Sequence, residues 1–348
     1  MRIGFIGLGK LGLPVTLATE AAGHDVAGFD VNHDVLLAIH DRKMTYREEG
    51  AQELLDHSQM VFMEPDQMRG WADLIFVAVQ TSHQPQYEGI TRLPDTRADF
   101  DYDHLETAVL SVWESDAPIV VISTVLPGTL ERLHFEREVL YNPFFIAMGT
   151  TIPDFRSPEF VLIGTDQVHP GPLREFYSTI HDRPLFVTTI KTAELTKVAY
   201  NTFIGLKIAF GNAMMEICEK TGADVDDLVD ALSLATDRVI SPAYLRGGMG
   251  DGGGCHPRDN IALSWLAREL GLSYDLFETL MVCREKQTEW LASLISNGDV
   301  EILGKAYKPG TNLTVGSPAL LLASMLSERG IGFEHTDPYV KEEECLDG

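Results

Sequence analysis

Basic residues are scarce in this chain: 27 Lys and Arg stand against 52 Asp and Glu, a formal net charge of −25 over 348 residues. A surface that negative repels nucleic acid and anionic membranes, which excludes a basic-patch binder of either. It also gives no long-range steering to an anionic ligand, so any anion site must be local, built from helix N-termini and a few placed cations. The bulk of the acid reads as solvated surface. Cysteine is rare as well. Cys218, Cys255, Cys283 and Cys345 show neither close pairing nor metal-ligand spacing, which predicts a reduced, cytoplasmic setting with no metal centre. Long apolar runs are missing too. The best stretch, Val198–Ile217, is broken by Lys207 and Glu216 and suits a buried helix better than a bilayer span. Gly7, Gly9 and Lys10 interrupt the apolar start too soon for a secretory leader. No clear internal repeat stands out.

The chain is too long for one ordinary core and predicts two or three domains. Arg2–Gly7, His24–Asp30, Leu74–Val79, Ile119–Thr124 and Phe160–Gly164 are short apolar runs separated by amphipathic segments, the pattern of a parallel α/β sheet. Ser82–Asp99 is Pro-rich, polar and aperiodic, longer than most connections, and so reads as a functional or mobile loop. From Thr192 to Thr221 one long stretch without Pro predicts a single helix ended by Thr-Gly. It is apolar on more than one side and predicts a helix running through a domain or dimer core. Further helices follow to about Asn297, interrupted by the glycine cluster Gly247–Gly254. Val300–Leu303 and Phe333–Asp337 then read as strands flanking a helix near Ser317–Ser327. The expected domains are 1–190, 191–297 and 298–348.

Gly7-Leu8-Gly9-Lys10-Leu11-Gly12 follows the first strand and opens a helix. In that setting Gly7 allows the tight turn, Gly9 lets backbone approach a pyrophosphate, and Gly12 lets helix and strand pack closely. Asp30, at the end of the next strand, is placed for a ribose 2′-hydroxyl and would repel a 2′-phosphate, so NAD is expected over NADP. This makes the first domain a doubly wound parallel sheet of Rossmann type. Val79, Thr81, Ser123 and Thr124 lie at or just past other strand ends, where ligands of such sheets bind. The hydroxyls in Ser123–Thr129 are equally readable as turn chemistry.

Gly252-Gly253-Gly254-Cys255-His256-Pro257-Arg258-Asp259 carries the most chemistry. Three glycines remove side chains beside the thiol, which leaves room for a substrate. A cysteine opening a helix has its thiolate favoured by the helix dipole, and thiolate is the nucleophilic form. Cys218 and Cys283, in helical patterns, read instead as small buried apolar residues, and Cys345 as a tail residue. Lys197 and Asn201 are four apart on the long helix and share a face. On a buried face they could hold a hydroxyl and stabilise an oxyanion; otherwise they are a solvated lysine and a capping amide. Asp259 either orients a water or Lys197, or simply pairs with Arg258.

Taken together these motifs resemble the UDP-glucose/GDP-mannose dehydrogenase family. The resemblance rests on Gly4-Phe5-Ile6-Gly7-Leu8-Gly9, Ser123–Thr129, Ala193–Lys197 through Asn201, Lys220–Val225, the cysteine block and Leu303–Pro309, and it runs to Pro338. It implies oxidation of a primary alcohol on a nucleotide-linked sugar to a carboxylate in two NAD-dependent steps, in a cytoplasmic homodimer or higher homo-oligomer serving polysaccharide biosynthesis. Cys255 would add to the intermediate aldehyde, giving a thiohemiacetal and then a thioester. Lys197, Asn201 and Asp259 would polarise the hydroxyl and stabilise oxyanions, and Thr124 would position water or cofactor. Lys10 and Leu11 would join the glycines at the cofactor. Phe144, Arg238, Tyr244, Gly252, Tyr307 and Lys308 would lie against the nucleotide-sugar. The C-terminal α/β piece would be a truncated nucleotide-sugar-binding domain after a central all-helical domain.

Three departures qualify that implication. The family has Asn-Pro-Glu-Phe-Leu and a second Glu, the first helping to activate the water that hydrolyses the thioester; here Phe144 and Met148 take those places. A positioned general base is worth roughly 10²–10⁴ in rate. Val315 stands where an Arg would reach cofactor phosphate, and the third domain stops soon after Asp337-Pro338, which implies a smaller or differently shaped substrate. The Ser82–Asp99 insertion, with His83, Tyr87, Glu88 and Arg92, is expected to cover the site. Two other readings stay open: a β-hydroxyacid-type dehydrogenase that needs no thiol, and a non-catalytic NAD-binding relative.

Overall fold

A computed structural model describes residues 1–82, 84–133, 139–166, 170–236, 248, 250–269, 275–295 and 300–340. The chain falls into two compact units, Met1–Ser82 with Phe100–Lys197, and His83–Asp99 with Val198–Gly348.

The first unit is built on strands β1 (Arg2–Ile6), β2 (Asp25–Phe29), β3 (Val61–Phe62), β4 (Leu74–Val77), β5 (Ile119–Val121), β6 (Leu140–Tyr141), β7 (Val161–Gly164) and β8 (Leu185–Thr188). They form one eight-stranded sheet in the order β3-β2-β1-β4-β5-β6-β7-β8. Every described pairing is parallel except β6 with β7, which meet only at Tyr141 and Gly164. Alternate side chains of the central strands feed two cores. Ile3, Phe5, Leu74 and Phe76 join one, while Ile6, Ile75, Val77 and Val121 join the other. Strands apolar on both faces are what helices covering both faces require. The strand order reverses between β1 and β4, and a doubly wound sheet opens its ligand crevice at that switch. β3, β6 and β8 escape the sequence pattern for simple reasons. β3 is exposed at both residues, β6 is two residues long, and β8 is only half-buried, so none makes a continuous apolar run.

The long helix, Ile190–Thr221, starts two residues earlier than its pattern predicts and contributes its first turns to the first unit. In the second unit come the helices Val225–Ser233, Cys255–Glu269 and Leu276–Leu294. Asp224 caps the first of these by accepting from Asp226 N and Asp227 N, and Asp275 caps the last by accepting from Glu278 N. A small α/β layer follows, with parallel strands β9 (Glu301–Leu303) and β10 (Glu334–Thr336) connected through the helix Pro318–Glu328. Ser317 caps that helix, with Pro318 as its first residue, where a missing N–H costs nothing. Its core is Ile302, Leu321, Met325 and Leu326, shared with Ala292. Among the described residues no helix is long and apolar enough to cross a membrane.

Candidate active site

Residues Gly7–Gly12 make the turn from β1 into the helix Gly12–Ala21. Gly7 adopts φ +97°, and a Cβ on it would meet the Ala78 carbonyl oxygen at 2.7 Å. A Cβ on Gly12 would come within 2.0 Å of the Gly7 oxygen, so only two glycines can close this turn. Gly9 is different, because a Cβ there would meet nothing within 4 Å. That is the open, side-chain-free backbone a pyrophosphate needs at a helix N-terminus. Asp30 is held against the turn. Its Oδ2 accepts from Leu8 N at 2.7 Å and its Oδ1 from Asn32 N at 2.8 Å. A carboxylate fixed at the end of β2 fits a ribose diol, so the turn and Asp30 suit NAD. The carbonyl of Lys10 accepts from the Tyr46 hydroxyl at 3.1 Å, and Leu11 precedes the helix without a side-chain cap.

The next two strand ends are stitched to each other. Ser123 Oγ donates to the Val79 carbonyl and Thr81 Oγ1 donates to the Thr124 carbonyl, both at 2.6 Å. These hydroxyls therefore set the spacing between two loops. Glu194, fully buried on the long helix, accepts from Gly128 N and Leu130 N at 2.5 and 3.0 Å and so anchors the far end of the same loop. Burial pushes its carboxyl above the usual glutamate range, and the two N–H groups only partly offset this. Nothing in its local sequence distinguishes Glu194 from a surface glutamate.

Lys197 is buried, not solvated. Its Nζ donates to the Phe144 carbonyl at 2.9 Å and lies 5.3 Å from the centre of the Phe145 ring. Phe144 is the residue expected at the substrate. Its ring is in the core against Phe76 and Phe155, and only its carbonyl turns toward Lys197. The ring joins an aromatic cluster that also holds Phe176.

In the second unit Cys255 is the first residue of the helix Cys255–Glu269. Arg258, one turn on, donates from Nη2 toward the Cys255 sulfur at 3.8 Å and from Nε to Asp259 Oδ1 at 3.2 Å. The other oxygen of the fully buried Asp259 accepts from Asn201 Nδ2 at 2.5 Å. Asp259 thus takes two partners, which a buried carboxylate requires; hydrogen bonds to such a charge are worth about 1.5–3 kcal/mol each. Burial works against the Arg258 guanidinium, but Asp259, Cys255 and Glu88 outweigh it and hold its proton more firmly than water would. A fixed cation therefore stands beside the sulfur. Cys218 is buried on the long helix and Cys283 is partly buried on Leu276–Leu294, as small apolar residues would be.

The three glycines do not open the space that their sequence suggests. A Cβ on Gly254 would lie 2.8 Å from Val315 Cγ1, and one on Gly253 would lie 3.2 Å from the Tyr307 ring. Gly252 faces the Tyr307 carbonyl and Pro318 at 3.2 and 3.1 Å. Across from them Gly316, at φ +69°, would bring a Cβ to 2.4 Å from the Gly253 oxygen. Two backbones are in direct contact here, and Gly253 N donates to the Gly316 carbonyl at 3.3 Å. Val315 is thus a packing residue of the thiol loop. Tyr307 lies against that loop, with Lys308 Nζ 5.6 Å from its ring centre. Arg238, Tyr244, His83 and Cys345 lie outside the described residues.

The insertion is fastened down within this unit. Arg92 pairs with Glu289 and Glu328 at 2.8 and 3.0 Å, and Arg97 pairs with Glu278 at 2.8 Å. Leu93 N donates to Glu285. Arg284, buried, donates to the Gly89 carbonyl at 2.6 Å and the Asp251 carbonyl at 3.1 Å, joining the insertion to the thiol loop. Asp251 in turn holds His256 at 2.8 Å. Only a partner some two hundred positions away gives Arg284 its meaning, so the sequence pattern passes over it.

Residues 1–181 match the model of the NAD binding domain of the UDP-glucose/GDP-mannose dehydrogenase family, and residues 191–285 match that family's central domain. The UDP-glucose 6-dehydrogenase TuaD of Bacillus subtilis is 28% identical over 355 residues, covering 97% of this chain and 76% of that protein. The UDP-glucose 6-dehydrogenase AglM of Haloferax volcanii is 27% identical over 370 residues, covering 98% and 84%. A UDP-glucose dehydrogenase structure from Pyrobaculum islandicum superposes with a TM-score of 0.87 at 27% identity, covering 98% of this chain and 83% of that one. A GDP-mannose dehydrogenase structure from Pseudomonas aeruginosa gives 0.61 at 26% identity, covering 100% and 83%. The chain belongs to the UDP-glucose/GDP-mannose dehydrogenase family, and its first 181 residues are that family's NAD-binding domain.

Proposed function

We propose that this NAD-dependent dehydrogenase oxidises the primary alcohol of a nucleotide-linked sugar to the acid through a thioester on Cys255. The observation that carries the reading is Cys255 in the first turn of its helix with the Arg258 guanidinium at 3.8 Å. A dehydrogenase that stops after one hydride has no use for a thiol held beside a fixed cation. NAD, bound by Gly7–Gly12 and Asp30, supplies the hydride acceptor. Lys197 and Asn201 steady the substrate oxygen as its proton passes to water and the first hydride leaves. The Cys255 sulfur then bonds to the aldehyde carbon as its S–H proton passes to the carbonyl oxygen, which makes the carbon tetrahedral for loss of the second hydride. Asp259 holds Asn201 and Arg258 in place, each through one of its oxygens. The exposed row Leu195, Phe203 and Leu206 on the long helix supports the expected dimer.

The test is the count of reduced cofactor per sugar across a panel that begins with UDP-glucose. Wild type should give two per substrate with a carboxylate product, and Cys255→Ser should stop at one with an aldehyde. Phe144, its ring in the core, favours a second reading in which the native reaction ends at the aldehyde. One reduced cofactor per sugar in wild type, with Cys255→Ser turning over unchanged, would establish it instead.

A further inference from the structure

The thioester reading needs a base to activate water, and Phe144 leaves the usual place for one without a carboxylate. We propose that Glu88, from the insertion, is that base, an inference that rests on the thioester reading. Glu88 Oε2 lies 3.8 Å from where a Cβ on Gly254 would stand, and Gly254 immediately precedes Cys255. The Glu88 charge acts on Arg258, whose guanidinium is the group beside the sulfur. Both neighbouring positions are fixed. The Tyr87 ring packs against the cluster of Ile261, Leu280 and Met281, and the Gly89 carbonyl is held by Arg284 at 2.6 Å. A Cβ on Gly89 would collide with Pro257 at 2.4 Å, so this stretch lies directly on the thiol helix. A base is useful only when it is held that firmly.

The other carboxylates of the thiol loop fit the task less well. Asp259 and Asp251 are both buried, at 0% and 5% exposure. Glu88 is partly exposed, so water reaches it. In the step itself Glu88 takes a proton from water as the water oxygen bonds to the thioester carbon. The carbonyl electron pair moves to its oxygen and returns as the carbon–sulfur bond breaks. The thiolate leaves beside Arg258, takes the proton back from Glu88, and the acid departs. Water is the only co-reactant.

The experiment compares wild type, Glu88→Gln, Glu88→Asp and Cys255→Ser with a nucleotide-sugar that wild type oxidises. Glu88→Gln should keep a rapid burst of two reduced cofactors per subunit, then turn over about 10²–10⁴-fold more slowly. Intact-mass analysis should find the acyl group on Cys255. Hydroxylamine, which needs no base, should restore turnover with a hydroxamate product, and Glu88→Asp should recover part of the rate. A Glu88→Gln enzyme with near-normal turnover and no adduct overturns the assignment, as does one without the burst. Should Cys255→Ser turn over unchanged, the thioester reading falls and the role of Glu88 falls with it; a blocked Cys255→Ser beside a normal Glu88→Gln removes Glu88 alone.

Discussion

Gly7–Gly12 and Gly252–Cys255 both lead through glycines into a helix, yet their surroundings differ. At the first loop Gly7 and Gly12 are consumed by the turn, while beside Gly9 the space is open. At the second, Gly252, Gly253 and Gly254 each abut the 307–318 loop, and Gly316 presses back on Gly253. One loop leaves its backbone open beside a glycine. The other uses it to let two chain segments touch, which sets the backbone that presents Cys255. The same residue type before a helix thus leaves open space in one unit and close contact in the other.

The sharpest way to break this comparison is Gly316→Ala. The left-handed backbone and the contact with the Gly253 oxygen together predict a loss of about 3 kcal/mol, read by urea unfolding. Alkylation of Cys255 should change in rate, while NAD affinity in the other unit stays within about twofold. Unfolding unchanged within about 0.5 kcal/mol would mean the loop yields easily and its rigidity is no design feature.

Gly9→Ala should do the reverse. Its new methyl meets nothing in the protein, so unfolding should move by less than about 0.5 kcal/mol. NAD binding should weaken about tenfold or more, roughly 1.4 kcal/mol by calorimetric titration. Unchanged affinity would show that the cofactor backbone does not approach Gly9.

How much of this could be read in advance follows from distance along the chain. β1, β2, β4, β5 and β7 are continuous apolar runs, and the long helix is one uninterrupted pattern, so local sequence carries them. The four-residue spacing of Lys197 and Asn201 gives their common face, and the helix beginning at Cys255 follows its glycines. Asp259 allowed two readings because its Arg258 partner is adjacent, whereas Asn201 is 58 residues away. The glycines beside the thiol looked like space because Val315, Gly316 and Pro318 are remote in sequence. Glu194, Arg284 and the tethered insertion are equally illegible, since each depends on partners that only the fold brings near.

The response to pH separates the two units by their clamping carboxylates. Glu194 in the first is raised by burial; Asp337 in the second is lowered, because four backbone N–H groups, those of Lys305, Ala306, Tyr339 and Val340, outweigh its burial. Asp337→Asn replaces an acceptor by a donor facing two of those N–H groups, so it should cost about 2 kcal/mol at neutral pH. For a lowered carboxylate the folded state binds fewer protons than the unfolded one, so the wild-type advantage over Asp337→Asn should shrink as pH falls below the ordinary aspartate range. Glu194 has the opposite sign. Its folded state holds the proton more tightly than the unfolded chain does, so wild type should gain on Glu194→Gln as pH falls from neutral toward the ordinary glutamate range. Thermal melts of the two pairs across pH should therefore diverge in slope. Parallel slopes would mean that the hydrogen bonds from Gly128 and Leu130 outweigh the burial of Glu194 and hold its carboxyl below the usual range, as those to Asp337 do.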